Sequence, residues 1–352
     1  MGSLEAARHG RVLIARLDST GDVLLTGAAV RAVAADARSV TMLVGPGQAE
    51  AALLLPGVDE VIEFEAGWVA LDPSPVSPPG VKTLLRRLRR GRFDRALVLT
   101  SCHQSPLPLA LLLRLAGIVW VGGISNEYAG SLLDLRHRVP NELPEAERNL
   151  SLVEAAGYRA DADGARLALR RPLPDVVGLT GAGPYVVFHP GAAVAACRPT
   201  AEHARAIVDG LLAAGHRVVV TGTLSECALT SYVAAGGADD FGGRLELPSL
   251  AAVIDRAECL VAPNTGAAHL AAAVGTPVVS LFAPVVAAER WQPYGVPIVL
   301  LGDQQAACRG TRARECPIAG HPCLSSITPA EVVDAVARLT SPQPLAHVRE
   351  VA

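Results

Sequence analysis

The sequence predicts an α/β protein built from two doubly wound units, each with a parallel sheet covered by helices on both faces. Short apolar runs rich in β-branched residues alternate with helical segments along most of the 352 residues, which is the pattern of such sheets. A breaker-rich linker at 171–184 separates two such series. Segment 261–282 adds a strand, a polar turn, a helix, a glycine stop and a second strand.

The first unit, residues 1–170, opens with an apolar strand at 11–16, a turn at 17–22 and a helix at 23–35. Its later strands are predicted at 40–44, 58–64, 95–100 and 118–122, and its later helices at 81–92, 107–115 and 145–157. Residues 72–80 contain four prolines and are predicted to form a loop, because proline interrupts helices and central strands.

The second unit, residues 185–340, repeats this alternation after the linker. Its strands are predicted at 185–189, 217–221, 259–262 and 277–282, and its helices at 200–214, 225–235 and 249–257. A last helix begins at the cap formed by Thr328 and Glu331 and runs to about Leu339. The tail, residues 341–352, is predicted to fray.

Composition restricts the class of partner and the compartment. The net charge of −3 gives no electrostatic case for nucleic acid. No apolar run has the length of a membrane span, and residues 1–10 lack a hydrophobic signal core. We therefore expect a soluble, cytoplasmic protein whose seven cysteines are reduced thiols.

The turn Asn264–Thr265–Gly266 is the strongest candidate for a ligand site. It follows a predicted strand and opens a helix, and ligands of open parallel sheets bind at such strand ends. The first N–H groups of a helix are unpaired and carry partial positive charge, which favours a phosphate. His269 lies one turn into the helix and could donate a hydrogen bond to that phosphate, more strongly when protonated.

Two common nucleotide motifs are missing from the sequence. Neither unit carries Gly-x-Gly-x-x-Gly, which disfavours a dehydrogenase. Lys82 is the only lysine and lies in no Gly-x4-Gly-Lys motif, which excludes a P-loop.

Several motifs occur in order, most of them at predicted strand ends. They are Ser19–Leu25, Glu147–Leu150, His189–Ala192, Gly222 with Glu226, Asn264–His269, Phe282–Pro284, Arg290–Trp291 and the late cysteine segment. In these motifs the chain resembles the family 9 glycosyltransferases, which include the ADP-heptose:lipopolysaccharide heptosyltransferases. The resemblance implies a GT-B fold, in which two Rossmann-like domains face each other across a cleft. It also implies inverting transfer with no metal and no cofactor, the acceptor in the first domain and the nucleotide-sugar donor in the second.

The resemblance makes Asp22 the candidate catalytic base, with Ser19, Thr20 and Gly21 on the acceptor side. A carboxylate aimed into the cleft can accept the proton of the acceptor hydroxyl. The alternative is that Asp22 is the N-cap of the helix predicted at 23–35, and the two roles do not exclude each other.

On the donor side, the resemblance places His189 and Gly191 beside the nucleotide sugar and Glu226 near its ribose. A glycine lets the backbone approach a phosphate, and a carboxylate can accept hydrogen bonds from ribose hydroxyls. The alternatives are an ordinary turn after the strand at 185–189 and an exposed glutamate at a helix start.

The chain departs from the family pattern at two positions. Cys197 stands where the family has a basic residue, so that Arg198 would have to supply the phosphate cation. Asn264 stands where the family has an aspartate, and it keeps the capping ability but loses the charge. The resemblance implies transfer to a glycan or lipid-linked acceptor. The two changes leave two alternatives open: a transferase that uses another donor sugar and a small-molecule acceptor, or a non-catalytic protein that binds a nucleotide sugar.

Two further segments have alternative interpretations. The arginines in the helix predicted at 81–92 form either a solvated face or a basic edge for an anionic acceptor or the inner face of a membrane. Cys308, Cys316 and Cys323, with His321, suggest zinc, but their spacing is unlike a Cys-x-x-Cys knuckle and favours a structural loop. Arg309, Arg312 and Arg314 in this loop could instead contact the donor or an anionic acceptor.

Overall fold

The computed structural model describes residues 10–70, 73–140 and 142–341, so the predictions for the first nine residues and for the tail after Ser341 lie outside it. Within these ranges the chain forms two six-stranded sheets, and every strand pair is parallel. The α/β class with two doubly wound units is therefore confirmed. The boundaries at 170, 184 and 340 stay predictions.

The first sheet has the strand order β3-β2-β1-β4-β5-β6. Its strands are β1 (Arg11–Arg16), β2 (Ser39–Val44), β3 (Glu60–Glu63), β4 (Arg95–Val98), β5 (Trp120–Ile124) and β6 (Leu135–His137). Its helices are α1 (Thr20–Leu24), α2 (Gly27–Ala34), α3 (Ala49–Leu53), α4 (Pro78–Gly91), α5 (Leu107–Leu115) and α6 (Glu145–Ala155). Leu84 and Leu88 of α4 pack with Leu109 and Leu113 of α5 on one face of the sheet, while α1, α2 and α6 contribute to the core on the other face.

The second sheet has the order β12-β11-β10-β7-β8-β9. Its strands are β7 (Val186–Phe188), β8 (Val218–Val220), β9 (Asp239–Asp240), β10 (Cys259–Pro263), β11 (Val278–Leu281) and β12 (Ile298–Leu301). The helices are α7 (Val177–Thr180), α8 (Ala201–Ala213), α9 (Cys227–Ala234), α10 (Leu247–Asp255), α11 (Gly266–Val274), α12 (Ala288–Trp291), α13 (Pro322–Ser325) and α14 (Pro329–Thr340). Short 3-10 turns occupy Ala195–Cys197 and Leu224–Glu226.

Several element boundaries differ from the sequence predictions, and β6, β9 and β12 were not predicted. The single helix predicted at 23–35 is divided into α1 and α2, and α1 begins at Thr20 because the Ser19 hydroxyl accepts from the backbone N–H of Asp22 and caps it. The loop predicted at 72–80 ends early, since α4 begins at Pro78. The first turn of a helix tolerates proline because its N–H groups are unpaired there.

Both sheets change direction between their first and fourth strands. These switch points lie between β1 and β4 in the first sheet and between β7 and β10 in the second. Ligands of open α/β sheets bind outside the carboxyl ends of strands at such points. A ligand site is therefore expected at the turns that follow β1, β4, β7 and β10.

The two units contact each other through apolar and polar groups. Helix α1 packs against α11, and Leu24 and Leu270 belong to one continuous cluster of buried side chains. The Tyr294 hydroxyl donates to Glu147 Oε1 at 2.7 Å, and the Leu247 N–H donates to Glu50 Oε2 at 3.2 Å. The carboxyl edges of the two sheets are held together by these contacts.

The described helices include none with the length and apolar character needed to cross a membrane.

Replacing Leu270 tests the packing of α11 in the apolar cluster that both units share. The Leu270→Ala variant should lose about 3 kcal/mol of unfolding free energy, because Leu270 is fully buried. Urea unfolding measures the loss. Leu115, 55% exposed at the end of α5, is the matched control, and its alanine variant should unfold like the wild type. Equal stability of both variants would contradict a tightly packed contact.

Candidate active site

The guanidinium of Arg16, at the carboxyl end of β1, is the centre of the site on the first unit. It is completely buried and donates to Asp22 Oδ1 and Ser101 Oγ, both at 2.8 Å. Further oxygens around it belong to Asp18 at 3.2 Å, Asn149 at 3.3 Å and Glu145 at 3.4 Å. Burial alone would lower the pKa of Arg16, but the charges of the three acids outweigh it and raise the pKa above its ordinary value.

Asp22 is held on both carboxylate oxygens. Oδ1 accepts from Arg16, and Oδ2 accepts from the Ser19 hydroxyl at 2.7 Å and the Ser19 N–H at 3.1 Å. Asp22 is therefore the third residue of α1 in a capping box and not the N-cap, a position that Ser19 occupies. Its side chain remains 13% exposed, so a hydroxyl in the cleft can reach a carboxylate of fixed orientation.

The turn after β10 lies directly against this segment. A Cβ placed on Gly21 would meet His269 Cδ2 at 2.7 Å, and one on Gly266 would lie 3.5 Å from Thr20 Cβ. Thr265 is the N-cap of α11 in extended conformation, and its side chain makes no capping hydrogen bond. The structure thus brings Thr20, Gly21 and Asp22 together with the uncapped start of α11.

His269 is a neutral group in this arrangement. It is only 4% exposed, and burial lowers its pKa to about 4, against the opposite effect of the Asp22 charge. Its Nδ1 is buried and has no hydrogen-bond partner among the described residues. A buried polar atom of this kind calls for a ligand or a water, and the neutral ring can supply one donor and one acceptor.

The turn after β7 forms a second group. His189 Nδ1 lies 3.1 Å from the Thr221 hydroxyl, and burial lowers the pKa of His189 while Glu226 opposes it. A Cβ on Gly191 would fall 2.0 Å from Glu226 Oε1, so a larger residue here would displace this carboxylate. Glu226 Oε2 accepts from the N–H and hydroxyl of Thr223, both at 2.8 Å, and completes a capping box.

Arg198 is not brought into either group. Its side chain is exposed and has no hydrogen bond or ion pair with the residues that the structure describes. Cys197 is buried, and burial raises its pKa to about 11. Arg290, from α12, does reach across the cleft, where Nη1 contacts Cys102 Sγ while Nε is buried and unpartnered among the described residues.

The cysteine segment also faces the first unit. Burial lowers the pKa of His103 to about 4, and the positive charge of Arg312 contributes to that shift. Cys308 and Cys323 are buried, and Cys316 is half-buried. Across the described ranges, no group of three or more histidine, cysteine or acidic residues could hold a metal ion.

Sequence reasoning did not identify Arg16 or the roles of the residues that surround its guanidinium. The surrounding residues, apart from Asp22, are Asp18, Ser101, Glu145 and Asn149. The sequence did contain one signal for Arg16, which ends the apolar strand at 11–16. A charged residue in that position requires a partner when it is buried. Asn149 belongs to the motif Glu147–Leu150, and its amide also donates to the Leu25 carbonyl at 3.2 Å.

Two Rossmann-like units with facing carboxyl edges define a GT-B protein. The model of the family described as "Glycosyltransferase family 9 (heptosyltransferase)" matches residues 81–320. This chain therefore belongs to glycosyltransferase family 9.

Individual relatives agree with this assignment. The chain is 34% identical over 105 residues to lipopolysaccharide heptosyltransferase 3 of Escherichia coli, an alignment that spans 28% of the chain and 31% of the relative. A family 9 glycosyl transferase from Veillonella parvula superposes with a TM-score of 0.77 at 18% identity, covering 94% of this chain and 97% of that one. The E. coli heptosyltransferase WaaC with ADP-2-deoxy-2-fluoro heptose gives 0.67 at 20% identity, covering 93% and 99%. These superpositions confirm the GT-B fold.

The buried neutral state of His269 has a pH signature. Its folded-state pKa of about 4 lies below the ordinary 6.5, so its contribution to stability is complete above pH 6.5 and is lost as the pH falls towards 4. At pH 5 the loss amounts to about 2 kcal/mol. Comparing urea unfolding of the wild type and His269→Gln at pH 7 and pH 5 isolates this contribution. An identical pH dependence in both proteins would contradict the buried neutral ring.

Proposed function

We propose that this protein is an inverting, metal-independent glycosyltransferase that moves heptose from ADP-heptose to a hydroxyl of a lipopolysaccharide core or a related glycoconjugate. The observation that carries the proposal is the placement of Asp22 beside the uncapped start of α11. An inverting transfer requires the base and the diphosphate site on opposite faces of the anomeric carbon, because the acceptor attacks opposite the leaving group. The family membership and the donor analogue named for WaaC support the choice of ADP-heptose.

The proposed reaction is a single displacement. Asp22 accepts the proton of the acceptor hydroxyl as the oxygen forms a bond to the anomeric carbon of the donor. The bond between that carbon and the diphosphate oxygen breaks on the opposite face, so the configuration inverts and the nucleoside diphosphate leaves with the electron pair. Arg16 and Ser19 act as positioning residues, because they fix both oxygens of Asp22.

In this mechanism the start of α11 stabilises the leaving diphosphate. The unpaired N–H groups at a helix start and the Thr265 hydroxyl are donors for phosphate oxygens, and they require no metal ion. His269 supplies a further neutral donor from its ring. Asn264 retains an amide at the position of the family aspartate and would contact the transferred sugar without adding negative charge.

The group around β7 is assigned to the nucleoside end of the donor. Gly191 brings the backbone against Glu226, whose carboxylate has lone pairs for ribose hydroxyls beside its capping bonds. His189 lies behind this group, bonded to Thr221. The acceptor is assigned to the first unit, where the turn at 101–106 follows β4 next to Ser101.

The Asp22→Asn variant tests the proposed base. It keeps the size of the side chain and one of the two accepting oxygens, so the fold and donor binding should persist while turnover with ADP-heptose falls at least about 100-fold. Turnover is measured as ADP release with a lipopolysaccharide-core acceptor. Asp163→Asn, at an exposed loop position, is the matched control and should retain full activity. Near-wild-type turnover by Asp22→Asn or Asp22→Ala would remove Asp22 from the mechanism.

The donor is tested separately from catalysis. Thermal unfolding in the presence of ADP-heptose, ADP-glucose, UDP-glucose and GDP-mannose should show the largest rise in Tm with ADP-heptose, because a ligand that binds only the folded state raises Tm. A larger rise with another nucleotide sugar would favour the second candidate, a transferase that acts on a small-molecule acceptor. The changes at Cys197 and Asn264 are the observations that favour this second candidate.

The third candidate is a protein that binds a nucleotide sugar without transferring it. It differs from the other two in one result: a Tm shift with ADP-heptose and no ADP release with any acceptor. The retained Asp22, fixed on both oxygens and open to the cleft, argues against this candidate.

A further inference from the structure

The outer face of the first unit carries a dense positive charge on α4. Six cations lie between residues 82 and 92, and residues 76–93 contain no acid, although the chain as a whole has a net charge of −3. They are Lys82, Arg86, Arg87, Arg89, Arg90 and Arg92, and all six are exposed. Leu84 and Leu88 turn inwards and fix the helix on the sheet.

These cations are not neutralised by the protein itself. Arg86 donates to the Thr83 hydroxyl, Arg87 to the Val61 carbonyl and Arg89 to the Leu115 carbonyl, all uncharged oxygens. None of the six has an acidic partner within the described ranges. Some arginines elsewhere do have an acidic partner, for example Arg171 with Asp255 and Arg217 with Asp239, both at 2.6 Å.

An apolar strip borders the positive helix. Leu111 and Leu115 stand one turn apart on α5 and are 47% and 55% exposed, and Val119 follows at 79%. The bond from Arg89 to the Leu115 carbonyl, 3.0 Å long, joins the strip to the cations. Adjoining exposed apolar side chains bordered by polar residues are typical of an interaction surface.

We propose that α4 and the strip formed by Leu111, Leu115 and Val119 bind the surface of an anionic phospholipid membrane. Lipid headgroups attract the arginines, and the aliphatic side chains enter the boundary between headgroups and acyl chains. A nucleic acid would also match the charge, but it offers no apolar layer for the leucines.

A membrane bound at this surface would leave the cleft between the two units accessible. Helices α4 and α5 pack on the face of the first sheet opposite to α1, α2 and α6, and α1 and α6 both contact the second unit. The turn at 101–106 connects the carboxyl end of β4 to the start of α5, so the docked face begins beside the candidate site. The binding itself does not rest on the proposed transferase activity.

Vesicle flotation of the full chain tests the proposal without turnover. The protein should float with vesicles that contain about 30% phosphatidylglycerol, should not float with phosphatidylcholine alone, and should be released largely at about 0.5 M NaCl. Arg86→Glu/Arg89→Glu/Arg90→Glu should weaken the binding at least about tenfold. The matched control, Arg159→Glu/Arg256→Glu/Arg338→Glu, has the same charge change at exposed positions outside α4 and should bind like the wild type.

A second variant separates the apolar contribution. Leu111→Ser/Leu115→Ser should bind several-fold more weakly and lose the fraction that remains bound at high salt, while circular dichroism and Tm stay unchanged. Failure of the wild type to bind anionic vesicles, or equal weakening by the two arginine triples, would overturn the proposal. Tight, salt-dependent binding of an RNA or DNA oligonucleotide in place of vesicles would overturn it in favour of nucleic acid.

Discussion

The buried guanidinium of Arg16 is the interaction on which the candidate site depends. Three acids, Asp18, Asp22 and Glu145, surround it in a poorly solvated position. Burial raises the pKa of Asp18 and of Glu145, and Arg16 opposes both shifts. Removing one partner of a buried ion pair leaves an uncompensated charge and costs about 3–5 kcal/mol. Arg16 therefore keeps β1, the turn after β4 and α6 in one arrangement and fixes the carboxylate that faces the cleft.

The cleft itself follows from the shared strand order of the two sheets. Each unit has its switch point between its first and fourth strands, so each presents two polar turns at one edge. Contact between α1 and α11 brings these edges together, and it requires small residues at the point of contact. Gly21 meets that need, since a Cβ there would lie 2.7 Å from His269 Cδ2. The contact that Gly21 permits also places Asp22 beside the start of α11.

The sequence was sufficient for the fold and for part of the site. Apolar periodicity located most strands, and the motif residues Asp22, His269, His189 and Glu226 fall at strand ends as expected. Arg16 was missed because its importance comes from distant partners, such as Glu145, that no local pattern connects to it. Arg198 was expected to supply a cation by its position in the chain, but its side chain is exposed. Short edge strands such as β9 carry too few residues for a periodic signal.

Under the proposed function, the donor side of the cleft binds a charged diphosphate mainly with neutral groups. The basic residue of the family is Cys197 here, which is buried and thiol-bearing, and His269 is uncharged above about pH 4. Two positive groups remain in the cleft, the partial positive charge at the start of α11 and the guanidinium of Arg290, whose Nε has no partner among the described residues. We therefore expect diphosphate binding to depend on the geometry of the helix start as well as on a side-chain cation. Gly266 is held against Thr20 and Gly21 of the first unit, and this contact fixes the position of the helix start.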